Sequence, residues 1–213
     1  MPPTPLAPGF HPLPAGHLAT VVTHLRMTAP PPAAPAAPAA PADVALARIA
    51  DPDPAAYRAL FRRVGTPWLW QSRLRLDDAA LAGALARPGT ELWVPRRDGR
   101  DVGLLELAFE DDVAEIAFFG LVPDVVGTGL GRWLMGQALA RAWDGGRPRP
   151  IRRLDLHTCT LDHPAALRFY LRAGFAIHRQ EVEVLADPRL DGTLPRGAGP
   201  HVPLAVEVPA PPG

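Results

Sequence analysis

Leu121-Val-Pro-Asp-Val-Val-Gly127-Thr-Gly129-Leu-Gly131-Arg132 is the most informative segment of this 213-residue chain. An apolar, strand-like run enters a turn with three alternating glycines, and helical spacing begins directly after it. The first N–H groups of a helix have no intrahelical partner and lie at the positive end of the helix dipole. Alternating glycines also let the backbone come close to a phosphate. The segment therefore predicts an anion site, and a tight turn without a ligand is the alternative.

Two familiar phosphate-binding turns do not fit this segment. A Walker-type loop needs a lysine, and all 22 basic residues of the chain are arginine. The dinucleotide-binding fingerprint needs a further glycine at the position of Arg132 and a carboxylate that closes the next strand, whereas Asp155 lies inside a predicted strand. The lack of lysine also excludes Schiff-base chemistry on a lysine of this chain.

The segments on either side of the turn predict an α+β domain. Before it, three predicted strands are joined by turns at Asp98-Gly99 and Asp111-Asp112, which indicates an antiparallel meander. After it come a helix, a strand, a helix that ends at Gly174 and a final strand. We expect helices at 51–64, 77–86, 129–143 and 164–173, and strands at 44–50, 91–94, 101–109, 113–122, 151–160 and 175–185. The predicted fold is a mixed, mostly antiparallel central sheet flanked by helices.

Proline is concentrated at both ends of the chain. This divides the sequence into an N-terminal extension (1–29), a Pro/Ala-rich linker (30–43), the domain (44–199) and a Pro-rich tail (200–213). Within the extension, residues 17–27 fit a strand, although their apolar spacing also suits a short helix. Such a strand could add to an edge of the main sheet, and pairing across a homodimer is an alternative.

The composition limits the partners. The 22 basic and 22 acidic residues balance, and the pI is about 7.1, which does not favour nucleic acid. The single cysteine, Cys159, permits no internal disulfide and fits a reducing cytoplasm. No apolar run approaches the roughly 18 residues of a membrane-spanning helix, so we expect no membrane partner.

Three motifs in the right order resemble those of the GNAT superfamily of N-acetyltransferases. Gly129 and Gly131 match the coenzyme-binding motif Arg/Gln-x-x-Gly-x-Gly/Ala at the start of a helix. The strand at 114–121 is similar to that of the histone acetyltransferase branch. The helix at 164–173, in which Tyr170 precedes Gly174-Phe175, resembles the fourth motif of the superfamily.

The resemblance implies an acyltransferase whose sheet is splayed at the acyl-CoA site. It implies transfer of an acetyl group from acetyl-CoA to a primary amine, by direct attack in a ternary complex, with no metal and no further cofactor. The Phe119 N–H would polarise the acetyl carbonyl, and the Leu121 main chain would pair with the pantetheine arm. The coenzyme-binding positions that the resemblance assigns are Phe119, Leu121, Val126, Gly127, Thr128, Gly129, Leu130, Gly131 and Arg132.

Glu115 and Tyr170 are the candidate catalytic residues. In a regularly alternating strand, Glu115 shares a face with Ala117, Phe119 and Leu121, and such apolar surroundings suit a general base. Tyr170 matches the position from which the family donates a proton to the coenzyme thiolate. The alternatives are an ordinary acid beside a solvated turn and a tyrosine that only packs in the core.

The acceptor side has weaker signals. Trp68 and Trp70 lie where the superfamily builds its acceptor-side helices, and His157 shares a strand face with Cys159. These three candidates, Trp68, Trp70 and His157, either line a substrate pocket or are buried for structural reasons.

Two positions depart from the family pattern. Val126 stands where the motif has Arg or Gln, so a side-chain contact with the pyrophosphate is lost, and His163 replaces the asparagine at the head of the Tyr170 helix. These departures leave open a catalytically decayed module that binds or senses acyl-CoA. Transfer of a longer acyl group is also open, because the sequence does not reveal the space beyond Phe119.

Overall fold

The computed structural model describes residues 5–31, 40–144 and 149–205. Residues 32–39 of the predicted linker and 206–213 of the predicted tail lie outside the described residues. No helix in the described ranges is long and apolar enough to span a membrane.

One sheet of eight strands organises the described residues. The strands are β1 His17–Met27, β2 Val44–Ile49, β3 Thr90–Arg97, β4 Arg100–Asp101, β5 Gly103–Glu110, β6 Val113–Leu121, β7 Arg153–Cys159 and β8 Ala176–Ala186. Their order in the sheet is β2-β3-β5-β6-β7-β1-β8, with the short β4 beside β3. The meander β3-β5-β6 is present as predicted, and β6–β7 is the parallel pair in an otherwise antiparallel sheet. The α+β prediction is therefore confirmed.

The four predicted helices begin and end close to their sequence signals. They are α1 Pro54–Gly65, α2 Asp78–Leu85, α3 Leu130–Ala142 and α4 Ala166–Arg172. Asp53 caps α1 by accepting from the Ala56 amide at 3.0 Å, and Asp77 caps α2 by accepting from the Ala80 amide at 2.8 Å.

Helices cover both faces of the sheet. On one face, the Tyr57 hydroxyl of α1 donates to the buried Glu106 carboxylate of β5 at 2.7 Å, and Arg73 also donates to that carboxylate. On the other face, the Arg141 guanidinium of α3 stacks 4.0 Å from the Trp93 ring of β3. We call these the α1 face and the α3 face.

The N-terminal strand lies inside the sheet and not at its edge. β1 pairs antiparallel with β7 on one side and with β8 on the other, so the strand joins the main sheet in its interior and not at the edge that the sequence allowed. Leu25 lies opposite Leu156 of β7 and Ile177 of β8, and it is 1% exposed. The main sheet therefore includes residues 17–27 of the predicted N-terminal extension, because β1 lies between β7 and β8.

The segment after β8 is held by a buried ion pair. Arg189 contacts both carboxylate oxygens of Asp187, at 2.9 and 2.7 Å, and also donates to the carbonyls of Ala198, Val202 and Pro203. Burial by itself would raise the pKa of Asp187, but Arg189 and two backbone amides outweigh it and lower this pKa to about 2. The described part of the predicted tail, through residue 205, is therefore packed against the domain.

Candidate active site

The parallel pair β6–β7 opens into a cavity part-way along the sheet. The two strands are paired over three positions, the last being Glu115 opposite Asp155. Beyond it they separate, and a cavity of about 680 Å³ is lined by both strands and by the starts of α3 and α4. The sheet is thus splayed where the resemblance places acyl-CoA.

The glycine turn forms one end of this cavity. Gly127 and Gly129 have φ angles of +84° and +90°, a conformation that favours glycine over residues with a Cβ atom. Gly131 lies in the first turn of α3, where an added Cβ would stand 3.8 Å from Leu121 and 4.0 Å from Phe169. The turn therefore presents bare backbone to the cavity.

Five successive amides of this turn have no protein acceptor. The N–H groups of residues 127–131 donate to none of the described residues, and the first amide after them, that of Arg132, donates to the Gly129 carbonyl at 3.1 Å. Unpaired amides at a helix N-terminus form an anion-binding nest. A diphosphate fits this arrangement, because it offers several acceptor oxygens and a negative charge.

Most of the predicted coenzyme positions come together here. The cavity is lined by Phe119, Leu121, Val126, Gly127, Gly129, Gly131 and Arg132. Thr128 and Leu130 contribute only amides to the nest, since the Thr128 hydroxyl donates to the Val125 carbonyl at 2.8 Å and the Leu130 side chain is buried in the core.

Tyr170 lies at the cavity on α4, with its ring buried against aromatic neighbours. The ring centroid of Phe119 is 6.2 Å away, and that of Phe169 is 5.4 Å away. Burial raises the pKa of Tyr170, and the negative charge of Asp162 raises it further. Its hydroxyl donates to no described residue, and its raised pKa favours the protonated form.

Glu115 does not have the surroundings predicted for it. Glu106 of β5 lies opposite Phe118 and Leu107 lies opposite Ile116, so Ala117 is an extra residue that bulges from β6. The bulge reverses the alternation, and Glu115 faces the α1 side with Phe118, not with Phe119 and Leu121. Its side chain is 46% exposed and is not among the residues that line the cavity.

His157 links Glu115 to the cavity. It lines the cavity on the α1 face, as does Cys159, which follows it on that face of β7. Its Nδ1 atom lies 3.9 Å from Oε1 of Glu115, and its side chain is 52% exposed. The thiol of Cys159 has a raised pKa because it is buried, which keeps it uncharged.

Trp68 and Trp70 both line this cavity, and we call them the tryptophan wall. The Trp68 ring contacts the rings of His163 and His201, at centroid distances of 5.1 and 5.5 Å. The Trp70 ring contacts those of Phe61 and Phe118, both at 5.4 Å. The two predicted acceptor-side residues therefore lie at the same cavity, held by aromatic contacts.

Asp162 is a site residue that the sequence did not reveal. Its carboxylate accepts hydrogen bonds from Trp70 Nε1 at 3.2 Å, Thr158 Oγ1 at 2.7 Å and the Cys159 amide at 2.9 Å. It thereby joins the tryptophan wall to the end of β7, next to Tyr170. The sequence signal for Asp162 was its position just before the predicted helix at 164–173, although an acidic residue there also fits an ordinary turn.

Side chains from β1 and β8 also line the cavity. Val22, Glu183 and Leu185 line it. Sequence reasoning missed these residues because it did not place β1 beside β7. In the described ranges, no group of three or more His, Cys, Asp or Glu side chains is arranged to hold a metal ion.

Comparison with known proteins supports a family assignment. A sequence model described as the acetyltransferase (GNAT) family matches residues 55–175, more than half of the 213 residues. The matched range contains the glycine turn, Glu115 and Tyr170. None of the curated proteins matches the chain.

Solved structures share the fold at low sequence identity. A GCN5-related N-acetyltransferase from Sphaerobacter thermophilus has a TM-score of 0.58 and 17% identity, over 80% of this chain and 53% of that one. A GCN5-related N-acetyltransferase from Kribbella flavida has a TM-score of 0.52 and 20% identity, over 83% and 63%. An aminoglycoside acetyltransferase from an uncultured soil metagenomic sample has a TM-score of 0.52 and 18% identity, over 66% and 93%. The chain thus covers less than two thirds of the length of the first two proteins, and at these sequence identities the similarity shows a shared fold.

Proposed function

We propose, from the premise that this chain belongs to the acetyltransferase (GNAT) family, that it transfers an acetyl group from acetyl-CoA to a primary amine. Members of this family use acetyl-CoA as the acyl donor and act as acyltransferases. The amine acceptor and the residue roles given below are our proposal for this chain.

The observation that carries the proposal is the row of unpaired amides at residues 127–131, open to the cavity between β6 and β7. This nest would hold the diphosphate of the coenzyme through main-chain hydrogen bonds. Such binding does not need the Arg or Gln side chain that Val126 replaces. Arg132, in the first turn of α3, adds a positive charge at the same end.

The splayed strand β6 would hold the rest of the donor. Beyond Glu115, β6 is paired with β5 alone, so its other edge is free to pair with the amides of the pantetheine arm as an added strand would. Leu121 lies near the nest on this edge, and Phe119 lies deeper in the cavity. The Phe119 N–H then polarises the thioester carbonyl.

Two side chains would move protons when the amine attacks that carbonyl within the ternary complex. Glu115 acts as the general base, taking the proton of the acceptor nitrogen indirectly because its side chain does not line the cavity, and Tyr170 donates a proton to the departing sulfur. The protonated state of Tyr170 supports its role, since burial and the charge of Asp162 both disfavour the phenolate.

Donor binding is tested by calorimetric titration with CoA and acetyl-CoA. Gly131→Val places a branched side chain between the nest, Leu121 and Phe169, and we expect affinity to fall at least tenfold. Gly83→Val is the matched control, because Gly83 lies on α2 with open space around its Cα and outside the cavity. Equal affinity in the two variants would place the coenzyme elsewhere.

Turnover is tested by thiol release from acetyl-CoA with a panel of primary amines. We expect release to depend on the amine and to saturate with it. Propionyl-CoA and butyryl-CoA, run in parallel, test transfer of a longer acyl group. Tight donor binding without thiol release for any amine contradicts the transferase proposal and favours a binding or sensor module.

A further inference from the structure

Four titratable side chains form a row across four adjacent strands on the α1 face. Glu115 of β6, His157 of β7, His24 of β1 and Glu181 of β8 follow one another across the sheet. The Glu115 carboxylate lies 3.9 Å from the His157 ring nitrogen Nδ1, and His24 Nε2 lies 2.5 Å from Oε1 of Glu181. The two imidazole centroids are 5.7 Å apart. We call these four residues the polar row.

The polar row meets the cavity at His157. Of its four members, His157 alone lines the main cavity that also contains Phe119 and Tyr170. His157 and His24 also line a smaller opening of about 370 Å³, together with Glu181. Glu115 lines neither, so a proton that leaves the cavity toward Glu115 passes His157 first.

We propose that His157 accepts the proton from the acceptor ammonium, and that Glu115 and the His24–Glu181 pair position it and pass the proton to solvent. This inference rests on the proposed acetyl transfer and makes His157 the first proton acceptor, with Glu115 as its partner. Histidine suits the task because its neutral imidazole accepts a proton at one nitrogen while the other is held by a neighbour.

The proposed reaction moves protons of the acceptor nitrogen and the hydroxyl proton of Tyr170. The ammonium gives one proton to His157 and becomes an amine whose lone pair forms the C–N bond as the C–S bond breaks. The Tyr170 hydroxyl gives its proton to the sulfur and regains one from the nitrogen. One of the three nitrogen-bound protons stays in the amide, one ends on the thiol and one leaves through the polar row.

Several charged and titratable side chains lie on the same face of the sheet as His157. The carboxylates of Glu115 and Glu181 form the two ends of the polar row, and they stabilise a positive charge that passes along it. Asp155, the preceding residue on this face of β7, is already paired with Arg26 at 2.8 Å and with Arg153 at 2.9 Å. The charged and titratable groups near His157 on this face are Glu115 on β6, Arg153, Asp155 and Cys159 on β7, His24 and Arg26 on β1, and Arg179, Glu181 and Glu183 on β8.

The test compares His157→Gln with wild type in the full chain, using thiol release with the best amine of the panel. We expect kcat/KM at pH 7 to fall by about 10²- to 10⁴-fold, the range for loss of a positioned base. The fall should shrink with rising pH, as more of the amine arrives already deprotonated. Affinity for acetyl-CoA, measured by calorimetry, should stay within about twofold.

Two further variants separate a proton-transfer role from a structural one. His157→Ala should regain activity when free imidazole is added, whereas a merely structural histidine would not be rescued. His178→Gln is the control, because His178 is exposed on β8 and lines neither cavity. We expect it to keep the wild-type rate and pH profile.

The outcomes distinguish this inference from the proposed function. If wild type releases thiol and His157→Gln does so within threefold at pH 7 with an unchanged profile, the role of His157 is overturned and the transferase stands. If wild type binds acetyl-CoA and releases no thiol with any amine, the proposed function fails, and the role of His157 fails with it.

Discussion

Leu25→Ala tests the most unexpected feature of the fold, the position of the N-terminal strand inside the sheet. Leu25 is 1% exposed, with Leu156 of β7 on one side and Ile177 of β8 on the other. Truncating a buried leucine to alanine in a core typically costs about 3 kcal/mol, from lost burial and the cavity left behind. That is a large part of a total stability of roughly 5–15 kcal/mol.

Val21→Ala is the matched control in the same strand. Val21 lies opposite Val182 and is 40% exposed, so much of its side chain already contacts water. We expect its loss to cost less than about 1 kcal/mol. In a chain of this length, about 3 kcal/mol corresponds to a fall in Tm of roughly 6–12 °C, and the control should lose no more than about 4 °C.

The measurement is urea unfolding of both variants, followed by tryptophan fluorescence and by circular dichroism, with calorimetric Tm values in parallel. Coincident transitions from the two probes justify two-state free energies. If Leu25→Ala costs no more than Val21→Ala, β1 is not held between β7 and β8, and the sheet order given above is wrong.

Three further predictions concern single side chains. Tyr170→Phe should lower kcat by about 10²- to 10⁴-fold and leave the Kd for acetyl-CoA unchanged; stopped-flow thiol release checks this, and an unaltered kcat removes Tyr170 from the mechanism. The lowered pKa of Asp187, about 2, means that its stabilisation is complete above pH of about 4 and is lost as the pH falls toward 2. This should remove roughly 2 kcal/mol in acid unfolding of wild type, and the double variant Asp187→Asn/Arg189→Met should lack that part of the pH dependence. Glu106→Ala leaves the partly buried Arg73 guanidinium and the buried Tyr57 hydroxyl without their acceptor, so urea unfolding should show a loss of about 2–4 kcal/mol, whereas a loss below 1 kcal/mol would mean that this network contributes little.

The helices and most strands could be predicted because their signals are local. Asp53 and Asp77 mark the starts of α1 and α2 through hydrogen bonds that span only three residues. The glycine turn and Gly174 likewise set their own φ angles, of which +90° at Gly129 and +101° at Gly174 favour glycine. Such interactions form between neighbours in sequence, so pattern and spacing suffice to place them.

The surroundings of Glu115 could not be predicted in this way. Strand alternation puts it with Phe119, but the bulge at Ala117 turns it to the α1 face, beside His157. Whether a strand carries one extra residue depends on how its partner strand pairs with it, and no residue type in β6 indicates the bulge. The bulge matters because the Glu115 side chain does not line the cavity, and His157 is the member of the polar row that does.

Residues 121–132 alone predict the turn with its unpaired amides, since three glycines and a helix start create such amides through contacts between neighbours in sequence. The acceptor end is different: Val22, Asp162 and Glu183 come from segments distant in sequence and meet only because β1 fills the space between β7 and β8. A strand can pair with many edges at similar local energy, and the burial of Leu25 and its neighbours across the whole sheet selects one. Contacts between neighbouring residues therefore encode the proposed donor site, and cooperative packing of remote segments creates the proposed acceptor site.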